Sequence, residues 1–188
     1  PIRQRATLLN LPLHAFIAAV RNGSLPRDAY CFDSLPNSLA TAASPLSSLF
    51  AAVTARKRKG QEGLTHIPPA ASRGLLRLAL GAAGSGNAWH RHGDALNVCL
   101  GGSKRWLLAA NGSTASVAAA ANGLSALVWL KAQRERRDVG GMFETCLQAA
   151  GELMFVPEGV EHAVVNEDET VAVAVQHDAE GASLLHIA

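Results

Sequence analysis

At 188 residues, 48% of them apolar and 17% charged, the chain has material for one full-sized core and too little for two. Seventeen basic against fifteen acidic residues leave a formal charge of +2, which makes no case for nucleic acid or for an anionic membrane. The longest apolar runs, such as Leu124 to Leu130, fall well short of the ~20 residues that cross a bilayer, so no spanning helix is expected.

No signal-peptide layout opens the chain, but it starts at Pro1 without an initiating Met, so the compartment stays open on that ground. The three cysteines, Cys31, Cys99 and Cys146, are widely spaced and form no CxxC pair. They read as small buried apolar side chains in a reducing, intracellular setting, and not as a disulfide framework or a zinc cage.

In chain order, Leu11 to Val20 is apolar at near-helical spacing, with Gly23 just past its end, and predicts a helix. Asp33 to Phe50 mixes Ser, Pro, Asn and Ala with Leu, as in short helices joined by turns. The basic run Arg56 to Lys59 reads as a solvated loop. Residues 1–70 thus form a helical lead-in. After Pro68-Pro69 the pattern shortens and alternates. Leu76 to Leu80, Asp94 to Leu100, Lys104 to Leu108, Leu153 to Val156, His162 to Asn166 and Val171 to Gln176 predict strands bounded by turn residues. Many short strands with turn signals point to a sandwich or closed barrel over 71–188. An insert at 109–142 interrupts it. The Ala/Gly/Ser-rich part, Ala109 to Gly123, reads as a surface loop, and Ser125 to Asp138 as an amphipathic helix with a serine cap and a basic outer face.

Two segments carry chemistry. The first is Gly84-Ser-Gly-Asn-Ala-Trp-His90-Arg-His92, and the second runs from Gly151 through Pro157, Gly159 and His162 to Asn166. Residues i and i+2 of a strand share a face, so His90 and His92 can meet one ion. A turn at Pro157-Glu-Gly159 leads into a strand with His162, Val164 and Asn166 on one face, which can bring His162 to the same ion. Imidazole suits iron, zinc, copper or nickel. Glu161 should face the other way. His14, His66 and His186 have no companions and are expected to be ordinary histidines.

The second segment resembles the second cupin motif, G-x5-P-x-G-x2-H-x3-N, at every fixed position, and the first resembles the G-x5-H-x-H of the first cupin motif, with Asn97 where that motif has glutamate. A closer resemblance is to the JmjC branch of cupins. GSGNAWHRHGDALNVCLGGSKRW is similar to that branch's metal-binding strand and its G-x-K-x-W strand, and CLQAAGELMFVPEGVEHAVVN with TVAVAVQH to its distal-histidine region. Tyr30-Cys-Phe-Asp-Ser-Leu-Pro36 resembles the lead-in of the small JmjC hydroxylases.

The resemblance implies a mainly β cupin, a double-stranded β-helix or jelly-roll barrel, with a helical lead-in and one inserted helix. It also implies an iron(II)- and 2-oxoglutarate-dependent oxygenase that hydroxylates a protein or small-molecule substrate. On this reading His90, His92 and His162 hold the metal and Lys104 pairs with the far carboxylate of 2-oxoglutarate. Asn87 stands where the family often has a threonine touching that carboxylate, Asn97 faces the near one, and His177 lies beside the cofactor. The family's usual second ligand is Asp or Glu. Here His92 takes that place, with Asp94 as the alternative if Gly93 forms a bulge. Two further readings remain: a three-histidine dioxygenase that uses no keto acid, and a non-catalytic cupin that binds through the basic helix Lys131 to Arg137. The substrate and the oligomeric state are left open.

Overall fold

The computed structural model describes residues 11–26, 28–34, 75–110, 117–136 and 143–176. Helix α1 spans Leu13–Arg21 and buries Phe16; its backbone leaves the helix through Asn22, and Gly23 takes φ +70°, the left-handed turn that ends many helices. The remaining ordered elements are β1 (Tyr30–Ser34), β2 (Leu75–Gly81), β3 (Gly86–His90), β4 (Ala95–Gly101), β5 (Ser103–Ala109), α2 (Val117–Ala121), α3 (Ala126–Arg136), β6 (Phe143–Ala149), β7 (Leu153–Val156), β8 (His162–Asn166) and β9 (Thr170–Gln176). None of the described helices is long and apolar enough to cross a membrane.

The strands form two antiparallel sheets, in the orders β1-β2-β9-β4-β7 and β3-β8-β5-β6. Along the chain from β2 to β9, each strand passes to the opposite sheet, except where β5 and β6 form a hairpin. That alternation is the winding of a jelly roll, the double-stranded β-helix of the cupin fold, with β1 added at one edge. One small apolar cluster explains why the sheets face each other. Trp106 and Val164 of the second sheet pack against Val156 of the first, with Met154 and Cys146 beside them. These side chains therefore point between the sheets and define the interior.

Period-two alternation then assigns every other strand residue. On the first sheet the inward row includes Arg77, Ala79, Ala95, Asn97, Ala172 and Ala174, and the outward row is the aliphatic cluster Leu76, Leu96, Val98, Val173 and Val175. On the second sheet the outward residues Trp89, Leu107, Ala163 and Val165 are covered by α2 and α3, where Trp129 meets Trp89 edge-on at 5.1 Å. Ser125 caps α3 as expected, its Oγ accepting the Val128 N–H at 3.4 Å.

Three expectations need correction. Tyr30–Ser34, inside the region read as helical, is a strand that extends the first sheet; its alternating aromatic residues suit a pleated surface better than a helix. The loop predicted over Ala109 to Gly123 contains α2, whose Val117 and Ala121 are buried. Alanine is the best helix former, and the small-residue run that looked featureless is what lets this turn lie close on the sheet. Finally, His92 is not on a strand. β3 ends at His90, after a register shift between Asn87 and His90, and His92 lies in the loop that follows. The basic run Arg56 to Lys59, much of the lead-in, and His177 lie outside the described residues.

Candidate metal centre

The register of the second sheet places His162 directly between His90 on β3 and Leu108 on β5. The β3 irregularity is what permits this. Asn87 pairs with Val164 and faces inward, and a regular strand would turn a residue three positions later outward; the shift restores the inward direction at His90. His92 arrives by a different route. Its carbonyl accepts the Gly159 N–H at 3.0 Å, while the Asp94 carboxylate accepts the Glu158 N–H at 2.7 Å. The loop after β3 is thereby fastened to the turn before β8.

The result is a compact group. Ring centroids of His90, His92 and His162 are 4.2 to 5.2 Å apart, and one ring nitrogen from each lies within 4.8 Å of the others. Each ring is oriented by its own backbone. Nδ1 of His90 donates to Ala88 O at 2.7 Å, that of His92 to Gly93 O at 2.6 Å, and that of His162 to Val160 O at 2.9 Å. A carbonyl only accepts, so Nδ1 carries the proton and Nε2 keeps its lone pair for a ligand. Burial lowers the basicity of all three, to about 4 for His90 and about 3 for His162, where the neighbouring His90 charge adds to the effect. The imidazoles are therefore neutral at pH 7, as metal ligands must be. The donor set fits a divalent ion of the iron–zinc series. Asp94, occupied at the Glu158 turn, is not part of the group.

Lys104 lies in the same interior, one β5 alternation from Trp106, whose ring is 5.8 Å from that of His162. It is 1% exposed. Its Nζ donates to Tyr30 Oη at 3.4 Å and sits 5.8 Å from that ring's centre, and among the described residues no carboxylate pairs with it. Loss of hydration pushes its pKa down to about 8, so the amine is still mostly charged at neutral pH. Burial raises the Tyr30 phenol, which stays a neutral donor and acceptor. A buried ammonium with one neutral partner is costly unless an anion joins it.

The polar residues around it divide into satisfied and unsatisfied. Gln148 accepts from Trp106 Nε1 at 2.8 Å and donates to Asn97 O and Glu152 O, closing one network. Asn97 Oδ1 and Asn166 Oδ1 are buried without partners, although Asn166 Nδ2 reaches Ser85 Oγ at 3.1 Å. Gly81 makes space there, since a Cβ on it would collide with Ser85 Oγ and press on Tyr30.

Of the residues singled out from sequence, His90, His92, His162, Lys104, Asn87 and Asn97 all lie on strands or loops that border this interior. Glu161 faces away, as expected, and its carboxylate accepts the Val117 and Ala118 N–H groups at the start of α2. Tyr30 and Arg77 were not assigned roles. Arg77 had a legible signal, a lone charge at an alternating position in the apolar run Leu76 to Leu80. Tyr30 has none apart from its place in the run Tyr30 to Pro36, because its partner is 74 positions away.

No protein-family model matches the chain, and no curated protein does. Among solved structures it is similar to the Drosophila melanogaster CENP-C cupin domain (8% identity, 54% of this chain and 59% of that one, TM-score 0.36). It is also similar to Bacillus subtilis oxalate decarboxylase (16% identity, 57% of this chain and 22% of that one, TM-score 0.38). A third is YcfD, a ribosomal oxygenase from Escherichia coli in complex with cobalt and succinic acid (16% identity, 56% and 23%, TM-score 0.38). The chain spans less than two thirds of the length of each of these. Likenesses this distant carry no inference about activity, and the fold assignment rests on the strand order.

Proposed function

We propose that the chain is an iron(II)- and 2-oxoglutarate-dependent oxygenase of the JmjC-like cupin type, a hydroxylase of a protein or small-molecule substrate. One observation carries the reading: Lys104, a buried cation without a carboxylate partner among the described residues, faces the interior that the three histidines border. His90, His92 and His162 would hold the metal through Nε2. Lys104 and the Tyr30 hydroxyl would take the far carboxylate of the keto acid, a charge-assisted contact in a dry setting. Asn166 Oδ1 and Asn97 Oδ1, without partners among the described residues, and the small side chains of Ala79, Ala172 and Ala174 face the same interior and would line the keto acid. Iron(II), when bound with 2-oxoglutarate, would supply oxidation of a C–H bond to an alcohol by dioxygen, one oxygen atom going to the alcohol and the other to succinate as carbon dioxide leaves. The chain's own part is to orient the imidazoles, to keep them neutral and to anchor the dianion.

The test is a titration of 2-oxoglutarate into manganese-loaded protein without oxygen, after chelator competition has measured the metal affinity. Saturable binding is expected, weakened more than about tenfold in Lys104→Met, the scale of one charged hydrogen bond. Metal binding with no response to 2-oxoglutarate, and a silent Lys104→Met, would instead favour a three-histidine cupin enzyme that uses no keto acid. That second reading is favoured by His92 standing where a carboxylate is usual while Asp94 is engaged elsewhere.

A further inference from the structure

Charge inside the barrel is lopsided. Among the described residues no Asp or Glu is buried, whereas Lys104 and His162 are. Three neutral imidazoles leave a divalent ion with both of its positive charges, where a histidine pair with a carboxylate would leave one. Lys104 adds a charge at one place in the interior, and Arg77 adds a second.

Arg77 is on β2 at an inward position, in one row with Ala174 and Asn97, and opposite Ser34 of β1. One of its terminal nitrogens, Nη1, donates to Ser34 Oγ, and its guanidinium lies over the Phe32 ring at 5.8 Å. Its Nε is buried and has no hydrogen-bond partner, and no carboxylate among the described residues pairs with it. Phe32 and Ser34 are exposed, whereas the Lys104–Tyr30 pair is enclosed. Arg77 thus carries an unpartnered N–H on the inward face of the first sheet, which borders the interior that the histidines share.

We propose that Arg77 is a specificity residue that binds a carboxylate of the substrate, so that the oxidised molecule is an acid. This rests on the oxygenase reading, and the charge balance motivates it. The dianion of 2-oxoglutarate offsets Lys104 and one charge of the ion, leaving the other and Arg77 uncompensated. A carboxylate is planar and matches the guanidinium's paired N–H groups, one of which, Nε, is now without a partner.

The test uses the manganese-loaded protein with 2-oxoglutarate present, and reads paramagnetic broadening of small-molecule NMR signals. Acetate is the probe and acetamide its neutral counterpart. In the wild type the acetate methyl signal should broaden about tenfold more than that of acetamide, the scale of one charged pair. Arg77→Met should reduce that preference to near unity, and Arg77→Lys should keep part of it. The methylene signals of 2-oxoglutarate should broaden equally in wild type and Arg77→Met. Equal broadening of acetate and acetamide by the wild type overturns the proposal. So does an acetate preference that survives Arg77→Met, or a loss of 2-oxoglutarate broadening in that variant. Absence of 2-oxoglutarate broadening in the wild type itself, with the acetate preference intact and lost in Arg77→Met, would sink the oxygenase reading and leave the acid-binding role standing.

Discussion

The two sheets divide the work of the interior unequally. The second sheet points His90, His162, Lys104, Asn166 and Gln148 inward, so nearly every group able to do chemistry hangs from one wall. The facing wall carries alanines at 79, 95, 172 and 174 together with Tyr30, Arg77, Asn97, Cys99 and the residues near Met154. One wall supplies ligands and the other supplies room. Their outer faces differ as well: the first sheet carries an aliphatic cluster, and the second is roofed by α2 and α3, with Trp129 against Trp89. A polar inner wall costs stability, and the two apolar outer layers offset it.

The largest expected effect tests the cost on the polar wall. Lys104 is charged below about 8 in the folded chain and below 10.5 when exposed, so between those values the unfolded chain holds the extra proton. Folding stability must then rise as pH climbs through that window, and the full penalty is present below it. Lys104→Met should stabilise the metal-free protein at pH 7 by roughly 3 kcal/mol, the free-energy equivalent of that shift. The gain should shrink progressively above pH 8. Urea unfolding at pH 7 and pH 10 measures it; a destabilised variant at pH 7 would mean that the ammonium already has an adequate partner. The lowered histidines act in the same sense in a lower window. Their unfolded counterparts take up protons first as pH falls below 6.5, so metal-free protein should lose stability there.

A somewhat smaller effect tests the open wall. Ala174 is 5% exposed and shares its row with Asn97 and Arg77. Ala174→Leu should cost about 1–3 kcal/mol by overpacking. It should also lower 2-oxoglutarate affinity more than about tenfold while leaving metal affinity intact, because the added carbons occupy space and not ligand positions. Val173→Ala, one residue away but facing outward, should cost a similar amount and leave both affinities alone. If the two variants bind 2-oxoglutarate equally well, the alanine wall is not where the molecule sits.

The same division explains what could be read in advance. The chemical wall was legible because its residues are few in kind and closely spaced: the pair His90 and His92, then Pro157, Gly159, His162 and Asn166. Strands β2, β4, β5, β7, β8 and β9 were legible as short turn-bounded runs, and β7 and β8 fall on the expected residues, whereas β6 was not expected. The open wall was not, since alanine in an apolar run has no chemical signature and its meaning depends on which face it takes. Arg77 and Tyr30 depend on contacts across 43 and 74 positions, to Ser34 and Lys104, that no local pattern encodes. His92 is the mixed case. Its convergence with His90 was expected from strand alternation, yet the loop's bonds to the Glu158–Gly159 turn achieve it instead.

The smallest effect asks whether the roof helps to hold the chemical wall in place. Glu161 immediately precedes His162 but turns outward, and its carboxylate accepts the N–H groups of Val117 at 2.7 Å and Ala118 at 3.2 Å. Those amides begin α2, where backbone donors have no helical acceptor, so the carboxylate acts as a cap supplied from another element. The Glu161 carbonyl also accepts the Ala109 N–H at 2.9 Å, which ties the same residue to the end of β5. Glu161→Ala should cost about 1 kcal/mol in chemical denaturation, the usual worth of a cap. The second readout is metal affinity. His162 takes its direction from Val160 O and from the strand pairs on both sides, not from the Glu161 side chain, so affinity should fall by less than about tenfold. A larger fall would make the roof a positioning device for the metal ligands, and the division between a chemical wall and its cover would no longer hold.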